Sequence, residues 1–310
     1  MAVTLALRAL GLGDLLTAVP ALRALRAARP DDRLVLAAPE ALRPLVDTID
    51  AVDELLPTEG LGRLDWRGER PALAVNLHGS GPESITDLLA TDPAELVTHR
   101  HPGHPDVPGP PWREDEHEVD RWCVLLEQAG IPADPADLAL PPPAVPSPAP
   151  GAVVIHPGAA YPARRWPAER FASVARDLSP HRVVITGSAA EEELAHEVAR
   201  AAGLDDDAVL AGRTGLDELA AVVAGAELVI CGDTGVGHLA TALHTPSVLL
   251  FGPTPPSRWG PPLGRGSHVV LWAGHTGDPF GDKPDPGLLE LTEDQVLLAA
   301  SELVAEGIHA

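Results

Sequence analysis

Residues 229–243 read Val229-Ile230-Cys231-Gly232-Asp233-Thr234-Gly235-Val236-Gly237-His238-Leu239-Ala240-Thr241-Ala242-Leu243. The apolar run that ends at Cys231 contains β-branched residues and predicts a buried parallel strand. Glycines and polar residues then interrupt the run, a helical pattern begins near Val236, and a second apolar run follows at residues 247–251. This order of strand, tight loop, helix and strand predicts an α/β fold with a parallel sheet.

The loop at residues 232–237 has two interpretations. The first N–H groups of a helix have no partner within it and the helix dipole favours an anion, so the loop could bind a phosphate. Gly232, Gly235 and Gly237 would let the main chain approach that phosphate closely, because a Cβ would obstruct it. A turn in which Asp233 or Thr234 caps the helix would explain the same residues without a ligand.

Length and composition narrow the class of protein. A chain of 310 residues is too long for one ordinary core, so we expect two domains. The formal net charge of -23 argues against nucleic acid or anionic lipid as the main partner. The only cysteines, Cys123 and Cys231, imply no disulfide framework. The N-terminus opens directly into a predicted strand without a signal peptide, and no apolar run approaches membrane-spanning length, so we expect a cytoplasmic protein.

Polar residues follow two predicted strands in the first half of the chain. Gly11-Leu12-Gly13-Asp14 follows a strand at residues 3–7, and His78-Gly79-Ser80-Gly81 follows a strand at residues 72–77. Strands alternate with helices here, so these residues are expected at the carboxyl ends of a parallel sheet, where ligands bind. Asp14 could cap the helix predicted at residues 15–28, or it could take a proton from a substrate hydroxyl group.

Three histidines, His99, His101 and His104, lie in a Pro- and Gly-rich stretch that runs to Trp112. Their spacing resembles a metal cluster, but no acidic or thiol residue stands at a matching spacing. We therefore interpret the stretch as a flexible loop over an acceptor cleft rather than as a metal site.

A proline-rich segment at residues 140–151 divides the chain. Its composition favours an extended connector between two domains, here residues 1–139 and residues 152–310. A final helix is predicted at residues 292–304, and it could pack back on the N-terminal domain.

The second half places charged residues after its predicted strands. Arg164 and Arg165 follow a strand at residues 152–156, and adjacent arginines in so acidic a chain suggest anion binding. Three glutamates at residues 191–193 open a helix, where they suit the helix dipole or could grip a ribose hydroxyl pair. A further strand is predicted at residues 209–212.

Taken in order, these motifs resemble glycosyltransferase family 9, the family of the lipopolysaccharide heptosyltransferases. The resemblance runs along nearly the whole chain. It is carried by Gly13-Asp14 with Pro20-Ala21-Leu22, His156-Pro157-Gly158 with Arg164-x-Trp166-Pro167, Gly187-Ser188 with the glutamates, Leu210-Ala211-Gly212-x-Thr214 with Glu218-Leu219, Gly232-Asp233-Thr234-Gly235-x-Gly237-His238-Leu239-Ala240, and Phe251-Gly252-Pro253-Thr254 with Trp259-Gly260-Pro261.

The resemblance implies a GT-B fold, in which two Rossmann-like domains face a cleft. It also implies an inverting glycosyltransferase that uses no metal ion or other cofactor. Such an enzyme would move a sugar, here a heptose from an ADP-linked donor, to a hydroxyl group of a glycan or small-molecule acceptor. In that family the N-terminal domain binds the acceptor and the C-terminal domain binds the nucleotide sugar.

The matched motifs imply roles for particular residues. Asp14 would be the catalytic base, with Gly13, His78 and Ser80 on the acceptor side. Arg164 and the amides of residues 234–237 would hold the diphosphate. The complete donor-binding set would be His156, Gly158, Arg164, Glu191, Glu192, Ala211, Gly212, Asp233, Thr234, Gly235, Val236, Gly237 and His238.

Two features depart from the family pattern. The family usually has Lys at the position of Arg164, and the loops between His78 and Trp112 match no heptosyltransferase pattern. The resemblance therefore supports inferences about the sugar donor better than inferences about the identity of the acceptor. An epimerase or hydrolase of the same fold, or a non-catalytic nucleotide-sugar-binding protein, would share many of these residues. An acceptor screen separates these alternatives, because only transfer forms a new glycoside.

Overall fold

The computed structural model describes residues 1–262 and 267–307. It divides into two compact units, Met1–Leu138 and Ala139–Ala310. Each unit contains its own five-stranded parallel sheet. The prediction of an α/β protein with two parallel sheets is therefore confirmed.

The first unit is built on strands β1 (Val3–Leu7), β2 (Arg33–Ala38), β3 (Glu54–Pro57), β4 (Leu73–Asn76) and β5 (Leu96–Val97). Its helices are α1 (Leu12–Thr17), α2 (Val19–Ala28), α3 (Arg43–Val46), α4 (Pro82–Leu89) and α5 (Glu118–Gln128). The strand order is β3-β2-β1-β4-β5, and the central strand β1 is buried along its whole length. The ends of β1 and β4 are therefore neighbours.

The first helical segment differs from its prediction. The sequence predicts a single helix over residues 15–28, whereas the structure begins α1 at Leu12 and separates it from α2 at Ala18. Pro20 explains the break, because it has no N–H to donate and stands at the start of α2. Gly13 and Asp14 consequently lie in the first turn of α1 and not in a loop.

The second unit is built on strands β6 (Val153–His156), β7 (Val183–Ile185), β8 (Leu228–Gly232), β9 (Ser247–Phe251) and β10 (His268–Trp272). Its helices are α6 (Ala168–Asp177), α7 (Glu192–Ala202), α8 (Leu216–Ala224), α9 (Gly235–Ala242), α10 (Pro256–Trp259), α11 (Pro286–Leu289) and α12 (Glu293–Gly307). The strand order is β10-β9-β8-β6-β7.

The final helix packs on the sheet of its own unit. Its buried residues Val296, Ala300 and Leu303 belong to the same apolar core as strands β6 and β8. Helix α12 also contacts α6 and β9. The sequence predicts a helix here that could pack back on the N-terminal domain, and the structure places its buried residues in the core of the second unit.

The strand predicted at residues 209–212 does not form. Val209 makes a single isolated bridge to Ile185, after which the chain turns away. Gly212 has a φ of 69°, a left-handed conformation that ends any strand and favours glycine. The N–H of Gly212 instead donates to the carbonyl oxygen of Gly187 at 3.1 Å.

A membrane-spanning helix would have to be both long and apolar. Within residues 1–262 and 267–307, no helix meets that requirement.

Candidate functional site

The carboxyl ends of two neighbouring strands, β6 and β8, lie in the middle of the second sheet. β6 pairs in parallel with β8, and His156 is opposite Cys231, so the carboxyl ends of the two strands lie side by side. Asp233 and Thr234 follow β8, and the loop that contains Arg164 follows β6. Ligands of open α/β sheets bind at such carboxyl ends.

Helix α9 begins at this edge. Thr234 is its N-cap, with an extended backbone (φ -152°, ψ 165°), and among the described residues its side chain makes no capping hydrogen bond. The N–H of Gly237 donates to the carbonyl oxygen of Thr234 at 3.0 Å. The N–H groups of Gly235 and Val236 precede the first hydrogen bond that the helix can make. These two amides stand at the positive end of the helix dipole and can bind an anion.

Packing within the protein requires glycine at position 232 and leaves little room for a side chain at position 237. A Cβ at Gly232 would lie 2.9 Å from the carbonyl oxygen of Arg164, and a Cβ at Gly237 would lie 3.0 Å from a methyl group of Leu249. The sequence suggests glycine here to leave room for a phosphate. The structure adds a reason that holds with or without a ligand, because the loop packs tightly on β9 and on the Arg164 segment.

Arg164 places a guanidinium group next to this loop. Its Nη1 lies 3.9 Å from Oδ2 of Asp233, an ion pair longer than a hydrogen bond. Its Nε is buried and has no hydrogen-bond partner in the part of the chain that the structure describes. A buried N–H without a partner is costly, so this side chain is well suited to an anionic ligand.

Arg165 is instead bonded to the protein itself. Its Nε donates to the carbonyl oxygen of Ala159 at 2.8 Å, and its charge acts on Glu191. The two adjacent arginines therefore differ: Arg165 fixes the loop, and Arg164 faces Asp233.

Glu191 acts as a cap in the loop after β7. Its Oε2 accepts hydrogen bonds from the N–H and the hydroxyl of Ser188, both at 2.8 Å. Burial opposes ionisation of Glu191, but the hydrogen bonds from Ser188 and the nearby His156 and Arg165 hold its pKa below the usual value. A Cβ at Gly158 would lie 2.0 Å from Oε1 of Glu191, so any larger residue there would displace this carboxylate from its present position.

Glu192 presents a more accessible carboxylate than Glu191. Its side chain is 52% exposed, and its Oε2 lies 3.3 Å from the position that a Cβ would take at Gly212. Of the two glutamates in the predicted donor set, Glu192 is the better placed to bind the hydroxyl groups of a ligand.

Three predicted donor residues, His156, Ala211 and Val236, have buried side chains. Nδ1 of His156 lies 3.0 Å from the hydroxyl of Thr186. Burial lowers the pKa of His156, although the charge of Glu191 opposes this. These side chains therefore support the loops from within the unit.

His238 lies on the first turn of α9 beside an aromatic residue of α10. Its ring meets that of Trp259 edge to face, with centroids 5.8 Å apart. Both residues line a cavity of about 10 Å³ together with Asp233 and Thr234. Such a volume holds about one water molecule.

In the first unit, the sequence predicts Asp14 as the N-cap of its helix, whereas in the structure Gly11 is the N-cap of α1 and Asp14 lies at N3, where its side chain bonds back to Gly11. Its Oδ2 accepts a hydrogen bond from the N–H of Gly11 at 3.3 Å, and its Oδ1 lies 3.4 Å from Nη2 of Arg8. The side chain is 28% exposed. A cap contact and a reactive carboxylate are therefore compatible at this position.

Arg8 joins the Asp14 turn to the His78 loop. It is fully buried, and its Nε donates to the carbonyl oxygen of Asp14 at 2.9 Å. Its Nη1 donates to the carbonyl oxygen of Leu77, directly before His78. Its Nη2 lies 3.0 Å from Oε1 of Glu118, a residue of α5. The sequence analysis missed both Arg8 and Glu118. An arginine directly after a buried strand was the available signal, but a partner 110 residues away leaves no local pattern.

His78 is held in a neutral state. Burial and the charge of Arg8 lower the pKa of His78 to about 4. Its Nδ1 is buried and lacks a hydrogen-bond partner within the described ranges. Asn76 shapes the loop: its Oδ1 accepts from the N–H of His78 at 3.1 Å, and its Nδ2 donates to the carbonyl oxygen of Gly79 at 3.0 Å. Ser80 is partly exposed in the same loop.

The stretch from His99 to Trp112 is packed against α5, which differs from the flexible loop predicted. His99 is buried, and its ring lies 5.1 Å from that of Trp112 and 6.1 Å from that of Trp122. The guanidinium of Arg121 lies 3.7 Å from the centroid of the Trp112 ring. Aromatic and cation–π contacts of this kind anchor a loop that its Pro and Gly content alone would leave mobile.

A cavity of about 300 Å³ lies within this stretch, lined by Arg100, His101, His104 and Trp112 among others. Nε2 of His104 lies 3.0 Å from the carbonyl oxygen of Pro82, so this histidine is bonded to α4.

Within residues 1–262 and 267–307, no group of three or more His, Cys, Asp or Glu side chains could hold a metal ion.

A family model described as glycosyltransferase family 9 (heptosyltransferase) matches residues 111–278. Curated relatives include lipopolysaccharide heptosyltransferase 2 of Escherichia coli K12, 32% identical over 160 residues, which covers 48% of this chain and 46% of the relative. Lipopolysaccharide heptosyltransferase 1 of Pseudomonas aeruginosa is 36% identical over 154 residues, covering 47% and 42%. The chain thus spans about half the length of the curated relatives it matches.

Solved structures share the fold along the whole chain. A glycosyltransferase family 9 protein from Veillonella parvula superposes with a TM-score of 0.80 at 22% identity, covering 98% of this chain and 97% of that one. E. coli ADP-heptose LPS heptosyltransferase II gives a TM-score of 0.78 at 23% identity, covering 99% and 100%. At these identities the likeness concerns the fold alone, and it confirms the expectation of a GT-B architecture.

Proposed function

Because the chain belongs to glycosyltransferase family 9, we propose that it is an inverting glycosyltransferase that moves a heptose from ADP-heptose to a hydroxyl group of an acceptor. The observation that carries this proposal is that two anion-binding groups meet at one sheet edge: Arg164, whose Nε has no partner among the described residues, and the amide-lined start of α9. The matched relatives are heptosyltransferases by name, and the solved neighbour is described with ADP-heptose. These names support heptose and ADP as the donor groups.

In the proposed reaction, the acceptor oxygen attacks the anomeric carbon of the donor. A bond forms between these two atoms while the bond from the anomeric carbon to the diphosphate oxygen breaks. Asp14 accepts the proton of the attacking hydroxyl group, and ADP leaves with the electron pair of the broken bond. Attack opposite the leaving group inverts the configuration of the anomeric carbon.

The leaving diphosphate gains negative charge as the bond breaks. Arg164 and the N–H groups of Gly235 and Val236 would stabilise that charge, since oriented donors act most strongly where charge develops. In other transferases a metal ion stabilises the leaving diphosphate. Here an arginine and the positive end of a helix would supply that positive charge instead. We therefore propose transfer without a metal ion or other cofactor.

Binding of the donor by the full chain is the first test. Calorimetry with ADP, GDP and UDP, each in the presence of EDTA, should give the tightest binding for ADP. Addition of ADP-heptose without an acceptor should release little ADP, because transfer requires the acceptor. Rapid release of ADP without an acceptor would indicate a hydrolase, and the absence of binding to any of the nucleotides would contradict the proposal.

A further inference from the structure

Two exposed aromatic side chains lie beside Arg164. The rings of Tyr161 and Phe280 meet edge to face with centroids 5.0 Å apart, and the guanidinium carbon of Arg164 lies 5.5 Å from the centroid of the Tyr161 ring. Tyr161 is 38% exposed and Phe280 is 66% exposed. The chain has only one tyrosine and three phenylalanines, so two of these four rings are exposed at one place. Exposed aromatic rings next to a cationic side chain offer apolar surface together with a charge, a combination found in ligand sites.

Backbone hydrogen bonds hold Phe280 in this position. The N–H of Ala163 donates to the carbonyl oxygen of Gly281, and the N–H of Asp285 donates to the carbonyl oxygen of Ala163, both at 3.2 Å. The N–H of Phe280 itself donates to Oδ1 of Asp278 at 2.9 Å. The segment is therefore bonded to the Arg164 loop directly after Phe280 and again at Asp285, which fixes the backbone that carries the exposed ring.

The strand order arranges the candidate donor residues in a line. Glu192 follows β7 at one edge of the sheet, and Arg164 lies at β6 and β8 in the middle. The segment that carries Phe280 reaches the β9 side, where the N–H of Gly277 donates to the carbonyl oxygen of Pro253 at 3.0 Å. A nucleotide sugar is also linear, with nucleoside, diphosphate and sugar in that order. If the ribose lies at Glu192 and the diphosphate at Arg164, the sugar falls at the aromatic pair.

We propose that Tyr161 and Phe280 form an aromatic wall that packs against the sugar of the nucleotide-sugar donor. The inference rests on the proposed function and assigns the sugar subsite of the same site. The C–H groups of a sugar ring present apolar surface that an aromatic ring can cover, and aromatic side chains with a few charged groups are typical of ligand sites. Phe280 lies just beyond residues 111–278, which the family model matches.

Calorimetry of the full chain with ADP and with ADP-heptose tests this wall. Tyr161→Leu and Phe280→Leu should each weaken binding of ADP-heptose by roughly three- to tenfold, while the affinity for ADP stays within about twofold. Tyr161→Phe keeps the ring and removes only the hydroxyl, so it should bind ADP-heptose like the unaltered protein. Leu298→Ala removes an exposed apolar side chain of α12 and serves as the control for a general surface effect.

The outcomes separate this inference from the proposed function. Equal loss of ADP and ADP-heptose affinity would overturn the wall, because the pair would then contact the nucleotide. Unchanged affinity for ADP-heptose would also overturn it. If sedimentation then showed that the variants no longer associate as two copies, the pair would be a contact between copies and not a sugar subsite. If the unaltered protein binds ADP but the sugar adds nothing, the wall fails alone. If it binds neither compound, the proposed function fails and the wall fails with it.

Discussion

Arg164 and Arg165 are identical neighbours in different environments. The Nε of Arg165 is bonded to the carbonyl oxygen of Ala159, whereas the Nε of Arg164 is buried without a partner among the described residues. A ligand anion would therefore gain more from Arg164. The sequence predicts the pair as an anion site, and the difference between its members follows only from the three-dimensional loop.

Replacement of each arginine in turn tests this difference. A hydrogen bond to a charged group contributes about 1.5–3 kcal/mol, so Arg164→Ala should weaken ADP binding by about tenfold or more. Arg165→Ala removes a loop contact and should cost markedly less affinity. Calorimetry with ADP measures both, and an equal loss from the two variants would contradict the assignment.

Asp14 combines a cap contact with the proposed role of base. In Asp14→Asn the amide oxygen of Asn can still accept the hydrogen bond from the N–H of Gly11, and Arg8 keeps its ion pair with Glu118, so the fold of α1 should persist. Asn cannot accept the proton, so turnover should fall by roughly 10²–10⁴ while donor affinity stays unchanged. Steady-state kinetics with calorimetry provide the measurement. Full turnover in the variant would reduce Asp14 to a cap and make His78 the next candidate for the base.

His78 should make the stability of the protein sensitive to acid. Its pKa is about 4 in the folded chain against 6.5 for an ordinary histidine, because burial and Arg8 disfavour its charged form. Between these values the unfolded state binds more protons, so the free energy of unfolding rises with pH through this window and levels off above it. His78→Gln should flatten that rise. Urea unfolding at a series of pH values from 4 to 7 measures it.

His99 and His156 also have lowered pKa values, but both remain in the His78→Gln variant and contribute equally to the two curves. The difference between the curves therefore isolates His78. Two curves that stay parallel from pH 4 to pH 7 would contradict the buried, neutral state of this side chain.

Helix α5 is joined to the core of the first unit by a buried charge network. Oε1 of Glu118 lies 3.0 Å from Arg8 and accepts from Nε1 of Trp122 at 3.1 Å, while Oε2 accepts from Nε of Arg121 at 3.2 Å. Removal of one partner leaves the others buried and uncompensated. Glu118 is the residue that links Arg8, Arg121 and Trp122 into this network.

Glu118→Ala should lower the free energy of unfolding by about 3–5 kcal/mol, the usual cost of breaking a buried ion pair. Glu127→Ala changes an exposed residue of the same helix and should alter it by no more than about 0.5 kcal/mol. Chemical unfolding of both variants compares the two sites. Similar small losses would show that the buried network contributes little to stability.

Elements that depend on local signals are predicted well, and those that depend on distant contacts are not. The apolar run before Gly232 predicts β8 because the signal lies within the strand itself. Residues 209–212 carry similar apolar residues, but β7 offers only an isolated bridge there and the left-handed Gly212 turns the chain away. The segment that holds Phe280 has no periodic pattern, and its position comes from backbone bonds to Ala163.

For the whole molecule, alternation of strands and helices is enough to predict two parallel sheets. Candidate residues at strand ends, such as Asp233 and Arg164, follow from that topology because parallel strands present their carboxyl ends together. The buried contact between Arg8 and Glu118 does not follow, since 110 residues separate its members. The sequence therefore predicts the sheet edge that carries the candidate residues better than it predicts the buried groups that position them.

The stereochemistry of transfer tests the proposed function most directly. The full chain would be incubated with ADP-heptose labelled with ¹³C at the anomeric carbon, a panel of glycan and small-molecule alcohols, and EDTA. NMR of the products would report the configuration of each new glycosidic bond and the ADP released. We predict one ADP per glycoside, an inverted anomeric carbon and no loss of rate with EDTA. A retained configuration, a metal requirement, or consumption of the donor without an acceptor would contradict the proposed reaction.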